Sequence, residues 1–308
     1  MALPDVAELF HALGYNVLLY DARRVGNSGG TPRNLIDPLQ IAEDLSGEWL
    51  LPQKQRSQEC MCWYIRSCVP KDVYTYVSRL PSVDADSIIL WGLSFGSVIS
   101  ACNAAVDRRA KAVIMVCPLF SYVQPSRQDT AFAQLMKDRI SQLRGNEPYS
   151  LQPFTPEGSN PIGMAGADGP GGLEAYGFMQ LAAEKGAEGF RDRIALQTYQ
   201  KLAMFRPKEY LEMIRAPVMT VIPEFDDISA PAEQRESVAR ITAPSKIYLA
   251  KGKGHLNVVT GADVGELVGE MDRFIKAVLQ GEVDALWKHA RRKAMWRVGV
   301  GLSTGTGP

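Results

Sequence analysis

The 308-residue chain balances 34 Lys plus Arg against 34 Asp plus Glu, and 46% of it is hydrophobic. That share suits a globular core and excludes a disordered chain, and zero net charge argues against a nucleic-acid partner. Five scattered Cys exclude a disulfide scaffold, no run nears the roughly 18 apolar residues of a membrane span, and MALPDVAELF lacks the basic start of a signal peptide, so the expectation is a soluble cytoplasmic protein with reduced thiols.

Pro4-Asp5 open a helix whose apolar face is Val6, Leu9, Phe10 and Leu13, with Gly14 at its C-cap. The apolar run Tyr15–Tyr20 then predicts a buried strand of a parallel sheet, followed by a Gly-rich loop over 22–34. Asp37-Pro38 start the next helix, Asp as N-cap and Pro in the first turn. Residues 47–71, GEWLLPQKQRSQECMCWYIRSCVPK, have no clean period. With them removed, Ile41, Leu45, Val73, Val77 and Leu80 fall on one helix face, so the block interrupts an amphipathic helix. Gly-Glu-Trp can be encoded with a GTGAG splice donor, and Lys71-Asp72 with an AG acceptor. The block is therefore read as a retained intron; the plainer alternative is a loop insertion.

Ser87–Trp91, Ala110–Val116, Pro217–Ile222 and Lys246–Ala250 read as further buried strands. Residues 120–215 read mostly as helices, broken by GSNPIGMAGADGPGG at 158–172, which reads as a disordered loop rather than a hinge. A last helix has Val264, Leu267, Val268, Met271, Phe274, Ile275 and Val278 on one side. The expected organisation is an N-terminal part of the core over 1–119, a helical lid over 120–215, a C-terminal part of the core over 216–280 and a basic, disordered tail over 281–308.

Gly92-Leu-Ser94-Phe-Gly96 joins a strand to a small-residue helix, the context of a G-x-S-x-G nucleophile elbow. The turn is tight enough that Gly is expected on both sides of Ser94, whose hydroxyl projects at a helix N-terminus. A nucleophilic Ser needs a base and the base needs an orienting acid. Of three His, His11 lies on the first helix and His289 in the tail, whereas His255 directly follows the last strand in KGKGHLN. Asp226 in PEFDDISAP is the expected acid, with Asp227 its rival. The chain order Ser94, Asp226, His255 is that of the α/β-hydrolases, so the fold expected is α/β, mostly parallel, with helices on both faces. One oxyanion donor is then the Phe95 N–H; the second normally comes from a loop after the third strand. No such loop precedes Tyr15, so several N-terminal strands are expected to be missing, through a late gene start or in an impaired product. No metal site is expected, because Cys60, Cys62 and Cys68 lack a fourth ligand nearby, and no cofactor is implied.

The segments GYNVLLYDARRVGNSGGTPRN, DPLQIAEDLS joined to DVYTYVSRLP, SIILWGLSFGSVISA, EFDDISAP and KGKGHLN together resemble the α/β-hydrolases of fungal secondary metabolism known as polyketide transferases. VGNSGGTPRN alone is also similar to X-Pro dipeptidyl peptidases. The resemblance implies acyl chemistry on a polyketide thioester, taken from a synthase carrier protein and passed to an alcohol or water, with Ser94, Asp226 and His255 as triad. Phe132, Leu135, Met136, Phe154, Met164, Tyr176, Phe178, Met179, Tyr199, Met204 and Phe205 are mostly core, and a few of them are expected to contact the acyl chain. The competing readings are a general carboxylesterase or Xaa-Pro-type peptidase, and a non-catalytic binding protein of the same fold.

Overall fold

The computed structural model describes residues 2–46, 73–186 and 189–283. The block 47–71, with Cys60, Cys62 and Cys68, and the tail beyond Val283, with His289, lie outside them.

Four parallel strands form the sheet in the order β1 (Ile89–Leu93), β2 (Ala112–Val116), β5 (Val218–Pro223), β6 (Ser245–Ala250). Every residue of β2 and β5 is buried, as expected for strands covered on both faces. Alternation divides their side chains between two cores. Val113, Met115 and Val218 face α2 (Pro38–Ser46), α3 (Val73–Ser78), α4 (Phe95–Val106) and α8 (Pro231–Val238). Ile114, Val116, Met219 and Val221 face α1 (Ala2–Ala12) and α9 (Val264–Leu279). The last helix buries Leu267, Val268, Met271, Phe274, Ile275 and Val278, the periodic face read from sequence. Asp37 caps α2, accepting the Gln40 N–H at 3.4 Å. On α3 the buried residue is Tyr74, while Val73 and Val77, and Leu80 just past the helix, are half-buried.

Tyr15–Tyr20 departs from expectation. The segment belongs to no strand, and Val17, Leu18, Leu19 and Tyr20 are exposed. Apolar composition favours a strand only where a neighbour accepts the ladder hydrogen bonds, and no described strand pairs with this one. β1 likewise pairs only with β2 and is half-buried in alternation. The loop after Tyr20 is nevertheless well tied. Asp21 accepts the Asn27 N–H at 2.9 Å, Ser28 Oγ donates to Asp21 O at 2.6 Å, and Arg23 grips Asp44 with Nε and Nη2 at 3.1 and 2.6 Å.

Between β2 and β5 the chain forms α5 (Gln128–Leu143), α6 (Pro170–Glu184) and α7 (Gln197–Met204), with the short antiparallel pair β3 (Ser150–Leu151) and β4 (Ile194–Ala195). Helices α5 and α7 and the β3–β4 pair share a core of Ala131, Leu135, Leu151, Ile162, Leu196 and Tyr199. A buried carboxylate, Asp138, joins its elements by accepting from Gln142, Tyr149 N and Gln197 at 2.7, 3.0 and 2.6 Å. The stretch 158–172 is ordered, contrary to the sequence reading. Asn160 Oδ1 accepts the N–H groups of Ile162 and Met164, its Nδ2 donates to Tyr199 Oη, and Asp168 N bonds Gly158 O at 3.0 Å. Glycine serves close packing here: a Cβ on Gly172 would lie 2.0 Å from Gly158 O, and one on Gly171 2.7 Å from Ile228 Cγ1. Among the described residues no helix is long and apolar enough to cross a membrane.

Candidate active site

The four strand ends converge on one point, where ligand sites of open α/β sheets lie. Ser94 follows β1 with φ 54° and ψ −116°, a conformation rare for a side-chain-bearing residue. Three contacts hold it there. Its N–H donates to Val116 O at 2.8 Å, and its carbonyl accepts from Ser97 N and Leu119 N at 3.1 and 3.3 Å. Ser97, fully buried, adds a bridge that sequence reading missed: its Oγ lies 2.6 Å from Gly92 O and 2.7 Å from Val116 O.

The two elbow glycines are not equivalent. A Cβ on Gly92 would sit 2.3 Å from Gly96 O, whereas one on Gly96 meets nothing within 4 Å. The expectation that both must be Gly is thus corrected: crowding acts on the strand side, and the helix side is open. Gly92→Ala is expected to destabilise the fold by several kcal/mol, on the order of 4, and Gly96→Ala by less than about 1. Paired thermal unfolding curves check this; equal Tm losses would contradict it.

His255 Nε2 lies 2.6 Å from Ser94 Oγ, and its Nδ1 lies 2.9 Å from each Asp226 carboxylate oxygen. His255 and Asp226 are 2% and 3% exposed, while Ser94 is half-buried and reachable. Asp227 is exposed, and the carboxylate bonded to the His255 ring is that of Asp226. The Asp226 carboxylate also accepts Ile228 N, Ser229 N and Gln234 Nε2 at 3.0, 2.7 and 2.8 Å. Those bonds fix its orientation. Gln234, on α8 and fully buried, is another group the sequence did not signal. Burial by itself depresses the His255 basicity, but the Cys117 sulfur and the Asp226 carboxylate outweigh it and raise it. Phe95 opens α4, so its N–H is among the helix's N-terminal donors without an intrahelical acceptor. Its ring packs edge-on against Tyr122, 6.1 Å between centroids.

Helix α6 touches these loops directly. Glu174 of α6 accepts the Asn257 N–H at 2.9 Å, two residues past His255, and Asn257 Oδ1 accepts the Gly254 N–H at 2.8 Å. Of the residues in 120–215 expected near an acyl chain, Phe154, Met164 and Tyr176 pack with Ile228 and Leu256 beside the Asp226 and His255 loops. Leu135 and Tyr199 belong to the separate small core between α5 and α7, Phe205 to the sheet's, and Phe178 packs on the sheet's opposite face. Phe132, Met136 and Met204 are exposed.

A parallel sheet flanked by helices, with Ser at the strand-to-helix elbow and Asp and His after later strands, defines an α/β-hydrolase. No family model matches the chain. It is 35% identical over 277 residues to a thiohydrolase of Eupenicillium brefeldianum, covering 89% of this chain and 80% of that one. Among solved structures, the α/β hydrolase GrgF from Penicillium sp. sh18 superposes with a TM-score of 0.70 at 32% identity, covering 89% and 83% of the two chains. A grgF of Penicillium sp. carries the name polyketide transferase. DcsB, solved with a substrate analogue, superposes with a TM-score of 0.79 at 50% identity, covering 90% and 85%. The chain belongs to the fungal polyketide transferase and thiohydrolase family of α/β-hydrolases.

Proposed function

We propose that this chain transfers or hydrolyses a polyketide acyl group held as a thioester, through an acyl-enzyme on Ser94. The observation that carries the reading is the continuous relay from Ser94 Oγ through His255 to Asp226, at 2.6 and 2.9 Å. His255 Nε2 takes the Ser94 proton as Oγ attacks the thioester carbonyl. The oxyanion forms beside the Phe95 N–H, at the positive end of α4. The tetrahedral adduct collapses, the C–S bond breaks, and His255 returns its proton to the departing thiolate. An alcohol or water then gives its proton to Nε2 and attacks the Ser94 ester; His255 hands that proton to Oγ as the ester bond breaks. Asp226 keeps the Nδ1–H tautomer throughout and stabilises the imidazolium.

The donor in this reading is an acyl group on a synthase carrier protein. Residues 120–215 act as the lid, with Phe154, Met164 and Tyr176 closest to the reacting centre. The two described cysteines, Cys102 and Cys117, are free and buried, which suits a reducing cytoplasm. The test is incubation with medium-chain acyl thioesters, with and without an alcohol, followed by intact-mass and peptide mass spectrometry. An acyl adduct on Ser94 is expected. Cleavage of Xaa-Pro peptides with no thioester turnover would replace the reading with a peptidase. Failure of a fluorophosphonate to label folded protein would leave a binding protein.

A further inference from the structure

The triad uses three strand ends, but the fourth, after β2, is in contact with all of them. β2 lies between β1 and β5, with Val116 paired to Leu93 on one side and Val221 on the other. The four residues 116–119 reach every arm of the site. Val116 O accepts from Ser94 N, and Leu119 N donates to Ser94 O. Pro118 O accepts from Ser229 Oγ at 2.6 Å, securing the loop that carries Asp226. The remaining arm falls to Cys117. Its thiol donates to the His255 carbonyl at 3.2 Å, and its N–H is pinned to Val221 O at 2.9 Å. Cys117 is fully buried, and its sulfur lies within 4.8 Å of ligand atoms on both the Asp226 carboxylate and the imidazole. Its backbone is left-handed, φ 40°, a conformation that a side-chain-bearing residue keeps only where surrounding contacts impose it.

We propose that Cys117 is a positioning residue of this active site, holding the His255 loop to the end of β2 so that Nε2 meets Ser94 Oγ. The proposal rests on the reading of His255 as the base. The thiol touches the backbone of the base, not the substrate, so its removal should leave the acyl pocket intact while letting the imidazole drift. A drift of about 1 Å can cost as much as a hundredfold in rate. The sulfur also contributes to the raised basicity of His255, together with Asp226; Glu174 stands at the rim of the His loop, on Asn257 N. Losing the sulfur therefore moves the protonation of the base to lower pH.

The test compares wild type, Cys117→Ser, Cys117→Ala and Cys117→Gly, each normalised to active sites titrated with a fluorophosphonate. Ala should lower kcat about tenfold with little change in KM, the scale of one lost positioning hydrogen bond, and shift the acid limb of kcat/KM to lower pH. Ser keeps a donor and should restore most of kcat. Gly removes the donor while relieving the left-handed backbone, so it guards against loss of the fold and should show the same loss as Ala. Unchanged kcat and acid limb in Ala or Gly, whether or not Tm moves, would overturn the inference and leave Cys117 a packing residue. Absence of labelling in the wild type would instead overturn the reading of the triad itself.

Discussion

Ser94→Ala is expected to abolish fluorophosphonate labelling and to lower thioester turnover by on the order of 10⁶-fold, the loss seen when a triad nucleophile is deleted. Stability should barely move. Ser94 occupies the N-cap of α4 but makes no side-chain capping bond, so its hydroxyl contributes only the contact to His255. The backbone at φ 54° is as unfavourable for Ala as for Ser. Ser94→Gly carries the contrast further: equally inactive, but with a higher Tm, because Gly adopts this conformation without cost. The pair separates the chemistry of the hydroxyl from the strain of the elbow. Substantial residual thioester turnover in folded Ser94→Ala, measured with enzyme free of wild-type contamination, would exclude the acyl-enzyme route.

What the sequence made legible follows from how local each signal is. The elbow is local: Gly, Ser and Gly between an apolar run and a small-residue helix set both the turn and the helix start. Asp37-Pro38 as a helix start is equally local, and so is the periodic face of α9. The structure shifts β1 from Ser87–Trp91 to Ile89–Leu93: Ser87 ends a 3-10 turn, and the ladder with β2 runs to the elbow itself. Non-local features were not readable. Tyr15–Tyr20 has the composition of a buried strand, but pairing depends on a neighbour that its own residues cannot specify. The stretch 158–172 has the composition of a loose loop. Its order comes from Asn160 meeting Tyr199, and from glycines that let two backbones approach. Ser97, Gln234 and Cys117 are ordinary small or polar residues in sequence. They acquire roles only when β1, β2, β5 and β6 bring their ends together.

The choice between adjacent carboxylates gives the second large effect. Asp226→Asn is expected to lower kcat by about 10⁴-fold, while Asp227→Asn stays within about twofold, since Asp227 is exposed and makes no contact with the imidazole. The loss has a geometric cause. Asp226 faces donors on every side: Nδ1–H of His255, two backbone N–H groups and the Gln234 amide. An Asn must turn its own NH₂ toward one of them. Facing His255, it selects the tautomer with the proton on Nε2, which cannot accept from Ser94; facing Gln234 or the backbone, it leaves buried donors opposed and loosens the loop. The pH profile adds a sign. The base works only when neutral, so activity is present above the His255 pKa and lost as pH falls through it. Asp226 helps raise that pKa, so the wild-type acid limb should lie above 6.5, the ordinary imidazole value. The residual activity of Asp226→Asn should persist to lower pH than the wild type's. An acid limb that stays in place, or a comparable loss in Asp227→Asn, would mean that the acid acting on His255 is not Asp226.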